Sequence, residues 1–251
     1  MTTAPLFLVD DVGALPGPGG RTLLDGPEGR HAATVRRLRP GEALVLSDGR
    51  GGLAHAEVVA PEGKDALSLR VLETLRTPPP AVRLVVAQAL VKGDRGELAV
   101  ETATEAGADG ILPWTASRCV ARWDDGPRGA KALARWRSTV REAAKQARRP
   151  WQPEVGDPVT TRQLARRVAD ADVALVLHES AGTGLADVPL PDAGEVLLAV
   201  GPEGGVDDHE LALLADAGAV PVRMGPEVLR ASTAACVALG ALAVRTGRWS
   251  G

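Results

Sequence analysis

In the run LLAVGPEGGVDDHELALLADAG (197–218), an apolar stretch breaks into Gly201-Pro202-Glu203-Gly204-Gly205 and an amphipathic helix follows. Glycines between a strand and a helix let the backbone approach a ligand closely, and a helix N-terminus favours anions. Neither the P-loop pattern nor the dinucleotide fingerprint occurs here, so both common phosphate cradles are excluded. Asp207 and Asp208 stand where helix caps belong, and capping would use up the free N–H groups. Glu203 precedes that cap and lies in the loop itself. Such a loop suits a neutral or cationic ligand, for example an adenosine carrying a positive sulfonium.

Two further loops carry similar chemistry. In VRMGPEVLRASTAACVALGAL (222–242) a strand ends at Met224-Gly225-Pro226, and Leu229-Arg230 leads into a helix rich in small residues. Ser232 or Thr233 can cap that helix or reach a ligand. In LHESAGTG (177–184), His178 is either a satisfied core histidine or a ligand contact. Three strand ends followed by glycine-containing loops are expected to line one crevice of an α/β sheet.

The elements that must hold these loops fall into two parts. Before RTPPPAVRL (76–84), short apolar runs at 6–9, 43–47 and 67–72 alternate with the turn signals DGRGG and PEGKD. That spacing predicts a small β-rich domain over 1–76. Three consecutive prolines favour an extended connection. From 77 to 251, apolar strands are predicted at 82–90, 109–114, 171–179, 195–201 and 219–224. Helices are predicted at 97–106, 131–148, 161–169, 207–217 and 231–246, the first stopped by Gly107. Apolar strands alternating with helices give a mostly parallel α/β sheet.

Charge is unevenly spread. The formal net charge is −3, yet residues 118–149 hold ten Lys/Arg against three Asp/Glu. On a helical wheel over 129–149, Leu133, Trp136, Val140, Ala143, Ala144 and Ala147 share one arc, with the basic side chains elsewhere. Glu142 is the one acid among those bases, so pairing within the helix cannot neutralise them. The basic side is either a solvated face or a surface for a polyanion. Cys119 and Cys236 form no close pair, which fits a reducing compartment. No apolar run reaches the ~20 residues of a membrane span. MTTAPLFLVDDVG lacks the basic flank and long apolar core of a signal peptide, so the expected location is the cytoplasm.

GPEGGVDDHE (201–210), MGPEVLRASTAA (224–235) and VLHES (176–180), in these positions, resemble the SPOUT class of S-adenosylmethionine-dependent RNA methyltransferases. Within it, the chain is most similar to the bacterial small-subunit rRNA uracil-N3 methyltransferase family. KGDRGELAVETATEAGADGILPWTASRCV (92–120), RWRSTVREAAKQARRPWQPEV (135–155) and HAATVRRLRPGEALVLSDGRGG (31–52) extend the likeness over nearly the whole chain. One departure is the start, where relatives often carry an aromatic and arginine-rich segment and this chain has no Arg before Arg21.

The resemblance implies a PUA-like β-barrel for RNA over 1–76, then a SPOUT α/β trefoil-knot domain over 77–251, in a homodimer whose C-terminal helices meet. It implies S-adenosylmethionine as cofactor, no metal, and 16S rRNA or the small ribosomal subunit as partner. Expected methyl-donor contacts are Leu177, His178 and Glu179 in one loop, and Val200, Gly201, Glu203 and Gly204 in the second. The third loop supplies Met224, Gly225, Leu229, Arg230 and Thr233. Arg230 is the candidate for stabilising charge on the uracil carbonyls, and Glu203 the candidate proton acceptor. Arg36, Arg37 and Arg39 of the barrel, Arg95, and Lys131, Arg135, Arg141 and Lys145 of the basic helix are the expected RNA contacts. Other classes consistent with parts of the sequence are a SPOUT enzyme for another rRNA or tRNA nucleotide and a non-catalytic RNA-binding protein. A dinucleotide oxidoreductase would share the sheet but lacks its fingerprint here.

Overall fold

The computed structural model describes residues 4–249. Met1–Thr3, the start of the MTTAPLFLVDDVG stretch, and Ser250–Gly251 lie outside the described residues. Two compact units are present. One comprises the chain up to Pro79 together with Ala144–Gln152, and the other comprises Pro80–Ala143 and Pro153 onward. The expected division after residue 76 placed 144–152 in the second part. The structure returns this segment to the first.

In the first unit, strands β1 (Leu6–Leu8), β2 (Arg21–Leu24), β3 (Ala43–Ser47), β4 (Gly52–Pro61) and β5 (Leu67–Arg76) form a curled half-barrel in the order β1-β3-β4-β5-β2. Only β1 and β3 run parallel. Alternate residues face the core, so Leu44 and Leu46, Ala54, Ala56 and Val58, and Leu67, Leu69 and Val71 are buried with Phe7. A short helix α1 (Gly26–Arg30) continues into a π turn over His31–Val35, closed by Arg36 N–H donating to His31 O at 2.8 Å.

Two interactions bind 144–152 into this unit. Lys145 Nζ lies 3.0 Å from Glu28 Oε1 with both side chains buried. The Trp151 indole N–H donates to the carbonyls of Thr77 and Pro78, each at 3.1 Å. A Cβ on Gly51 would stand 2.7 Å from the Trp151 ring, and φ there is +91°, so glycine is required twice over.

The second unit holds an eight-stranded sheet in which every pairing is parallel. Its elements in chain order are β6 (Val82–Ala89), α2 (Arg95–Glu105), β7 (Gly110–Thr115), α3 (Pro127–Gln146), β8 (Glu154–Val155) and β9 (Val159–Thr160). These are followed by α4 (Thr161–Asp170), β10 (Val173–Leu177), β11 (Thr183–Gly184), β12 (Gly194–Val200), α5 (Asp208–Asp216), β13 (Val220–Arg223) and α6 (Ala231–Arg245). The strand order is β11-β13-β10-β12-β6-β7-β8, with β9 also on β7. The middles of the central strands are apolar because both faces are covered, and Leu84–Ala87 and Val196–Val200 are all buried. Gly107, at φ +103°, follows α2 as expected. Among the described residues, no helix is long and apolar enough to cross a membrane.

Candidate active site

β13, β10 and β12 are adjacent and parallel, so their C-terminal ends lie along one edge of the sheet. The three glycine-containing loops leave from those ends. Beside them, β6 leads to Arg95 at the start of α2. The loops enclose a cavity of about 520 Å³, within the range of small-molecule sites.

Each loop has a local cause. After β12, Gly205 N–H donates to Pro202 O at 2.9 Å, which makes Glu203 and Gly204 the tip of a tight turn. A Cβ on Gly201 would come within 2.8 Å of the Val206 side chain. Asp207 then caps α5, accepting from His209 N–H at 2.9 Å, while Asp208 is the first residue of the helix. Only the first of the two expected caps acts as one.

After β10, His178 N–H donates to Val222 O at 2.9 Å and carries the ladder one residue further. Its Nδ1 lies 3.0 Å from Ser180 Oγ and 3.4 Å from the Ser180 backbone nitrogen. A backbone N–H can only donate, so Nδ1 is the acceptor in that contact. After β13, Met224–Leu229 lead to Arg230, the N-cap residue of α6. Gln88, buried at the end of β6, donates to Ala231 O at 3.3 Å and ties the start of α6 to the sheet.

Leu177, His178, Glu179, Val200, Gly201, Glu203, Gly204, Met224, Gly225, Leu229 and Arg230 all line this cavity. Thr233 does not. Its hydroxyl turns back to Arg230 O at 3.3 Å, and the buried Ser232 lines the cavity in its place. Arg95, expected on an RNA surface, also lines it, as do Arg223 and Glu227. The wall therefore mixes apolar side chains, three carboxylates and three guanidiniums, while Glu203 and Arg230 are both exposed.

The basic helix is less uniform than its wheel. Trp136, Val140, Ala143 and Ala144 are buried as expected, but Ala147 is exposed because α3 stops at Gln146. Lys145 leaves the set of RNA contacts, since its ammonium is buried against Glu28. Acids from other elements do what Glu142 cannot. Arg135 meets Glu97 at 3.4 Å, and Arg137 meets Asp157 at 3.1 Å. The Arg135 and Arg137 side chains remain more than half exposed, so these pairs hold them weakly. Lys131 and Arg141 are exposed, as are Arg36, Arg37 and Arg39 beyond the π turn. Arg37 adopts φ +54°, a left-handed backbone that disfavours a residue with a Cβ.

Comparison with known proteins decides the family. Residues 78–243 match the RNA methyltransferase domain, and residues 24–72 match the RNA methyltransferase PUA domain. The ribosomal RNA small subunit methyltransferase E of Mycobacterium bovis is 53% identical over 98% of this chain and 94% of its own. The chain belongs to the ribosomal RNA small subunit methyltransferase E family. Its Bacillus subtilis member is 31% identical over 89% of this chain and 90% of its own. Among solved structures, the Neisseria gonorrhoeae family member bound to S-adenosyl methionine has a TM-score of 0.84 at 26% identity, covering 97% of this chain and 98% of its own. A methyltransferase of Legionella pneumophila with bound S-adenosylmethionine superposes equally well, with a TM-score of 0.84 at 29% identity and the same coverage.

Proposed function

We propose that this chain transfers a methyl group from S-adenosylmethionine to N3 of a uridine in the 16S rRNA of the small ribosomal subunit. The observation that carries this reading is the convergence of three separate strand-end loops on one cavity. Relatives of the same fold hold S-adenosylmethionine.

The cavity fits that donor chemically. Its volume suits a nucleoside with a short tail, and Leu177, Val200, Met224 and Leu229 offer apolar wall for an adenine ring. Glu179, Glu203 and Glu227 can accept from ribose hydroxyls and favour a cation, whereas a phosphate tail would meet repulsion. When bound, the donor supplies an electrophilic methyl group on a positive sulfonium.

The chain's own residues do the rest. N3 lies on the Watson–Crick edge of uracil, so the base must be unpaired or flipped out, at about a few kcal/mol. In this reading Glu203 takes the N3 proton, supported by its exposure at the tip of the 202–205 turn on the cavity wall. Arg230 in the same reading stabilises charge developing on O2 or O4, supported by its position on the cavity wall at the N-terminus of α6. Arg95 on the same wall is a second guanidinium for the RNA. Arg36, Arg37 and Arg39, with Lys131, Arg135 and Arg141, are the remaining RNA contacts in this reading.

A cytoplasmic homodimer completes it. Val237 and Val244 lie seven residues apart on α6 and are exposed, the spacing of one helix face for a second copy. The trefoil knot belongs to the same reading, supported by insertion of the last strand, β13, between β10 and β11. Radiolabelled methyl transfer to small subunits lacking the modification, with the product mapped by mass spectrometry, tests the whole proposal. Label on another base or on protein would redirect it, and absence of S-adenosylmethionine binding by calorimetry would end it.

A further inference from the structure

The glycine loop 201–205 is gripped from outside the cavity. Arg118, in the segment after β7, donates from Nη1 to Gly204 O at 3.1 Å, and its Nη2 stands 3.8 Å from Asp207 Oδ2. A Cβ on Gly204 would lie 3.2 Å from Arg118 Cβ, so the two backbones are in close approach. Arg118 is not among the residues lining the cavity.

The backbone that carries the exposed Arg118 is tied to the core through its neighbour. Ser117 donates twice to the buried Glu210, from the backbone N–H at 2.9 Å and from the hydroxyl at 2.8 Å. Thr161 donates its hydroxyl to the same carboxylate and accepts from the Trp114 indole N–H at 3.1 Å. Arg122 donates to Ser117 O at 3.2 Å. A continuous polar chain thus runs from the fully buried Trp114 through Thr161, Glu210 and Ser117 to Arg118 and the tip of the loop.

We infer that Arg118, held by the Ser117–Glu210 pair, is a positioning residue that fixes the 201–205 turn in its ligand-ready conformation. Three glycines in five residues would otherwise sample many states, and ordering them on binding would cost affinity. A charge-assisted hydrogen bond to the carbonyl at the turn tip removes that cost before the ligand arrives. The inference rests on the proposed function, because its ligand is the methyl donor of that reading.

The test compares the full-length chain with Arg118→Gln and Arg118→Ala. Amides of 203–206 should exchange hydrogen faster in both variants, while the rest of the second unit is unchanged. S-adenosylmethionine affinity by calorimetry should fall about tenfold, the loss of one charged hydrogen bond. KM for the donor should rise with it, while kcat at saturation and RNA affinity stay put. A residue that only supported the fold would lower the melting temperature without this split. If Arg118→Ala does not fold, Arg118→Lys, which keeps the charge but not the fork, carries the same comparison. Unchanged exchange at 203–206 or unchanged donor affinity overturns the inference. The exchange measurement needs no donor, so a wild-type chain that binds none would fail the proposed function and leave the clamp to be judged separately.

Discussion

Lys145 and Glu28 form an ion pair at 3.0 Å with both side chains almost wholly buried. The pair joins α1 to the last turn of α3, and with Trp151 on Gly51 it makes 144–152 part of the half-barrel unit. A lysine at the end of a basic helix is thereby committed to the fold and withdrawn from solvent.

Truncating one partner should therefore be costly. Lys145→Ala leaves the Glu28 carboxylate buried beside a lost cation, and we expect a loss of about 3–5 kcal/mol in urea unfolding. The double change Lys145→Met with Glu28→Leu should cost less than the sum of the two single changes, because the two groups are coupled at 3.0 Å. A single change costing no more than a surface substitution would show that the pair is not closed in solution.

Glu203 is the next target. Glu203→Gln keeps the size of the side chain and the glycine turn but removes the base. The expected outcome is a fall in kcat of about a hundredfold or more, larger than the accompanying loss of donor affinity. Single-turnover methyl transfer and calorimetry on one preparation check both halves. Unchanged kcat would move the proton acceptor to another group on the cavity wall, with Glu179 and Glu227 the remaining carboxylates there.

Much of this architecture was legible because its signals are local. Leu84–Ala87 and Val196–Val200 are continuous apolar runs, as strands buried on both faces must be. Glu203 and Arg230 could be singled out because they stand in glycine- and proline-marked loops beside such strands. The ten-residue β4 was missed, since GLAHAEVVAP puts small Ala54 and Ala56 on the core side and hides the alternation. The pairing of Lys145 with Glu28, 117 residues away, left no trace in local pattern. That Arg95 also lines the cavity is not legible, because nothing in its neighbourhood announces that β6 lies beside β12. Glu210 sat inside a quoted motif, yet its role depends on Ser117 and Thr161 arriving from elsewhere.

Arg37 combines strain with exposure. At φ +54° a residue with a Cβ costs roughly 1 kcal/mol relative to glycine, so Arg37→Gly should raise stability by about that amount. RNA affinity should fall at the same time, with a shallower salt dependence by about one counterion. Denaturation and salt-titrated RNA binding on the same variant would show both. Stability gained with RNA binding intact would mean that Arg37 faces no phosphate.

The cysteines offer a check on the core that needs no ligand. Burial pushes the Cys119 thiol up, and the Glu210 carboxylate adds to this against hydrogen bonds and Arg122 that pull it down. Burial also raises Cys236, with Glu105 contributing. A raised thiol holds its proton more tightly when folded than when unfolded. Its contribution to stability is therefore complete below the unfolded thiol value of about 8.5 and is lost as pH rises through the folded value. At pH 8, native Cys119 should react with a thiol reagent far more slowly than the urea-unfolded chain, and the partly exposed Cys236 should react first. Equal rates for native and unfolded protein would mean that the segment after β7 opens readily, and Arg118 could not then hold the glycine loop.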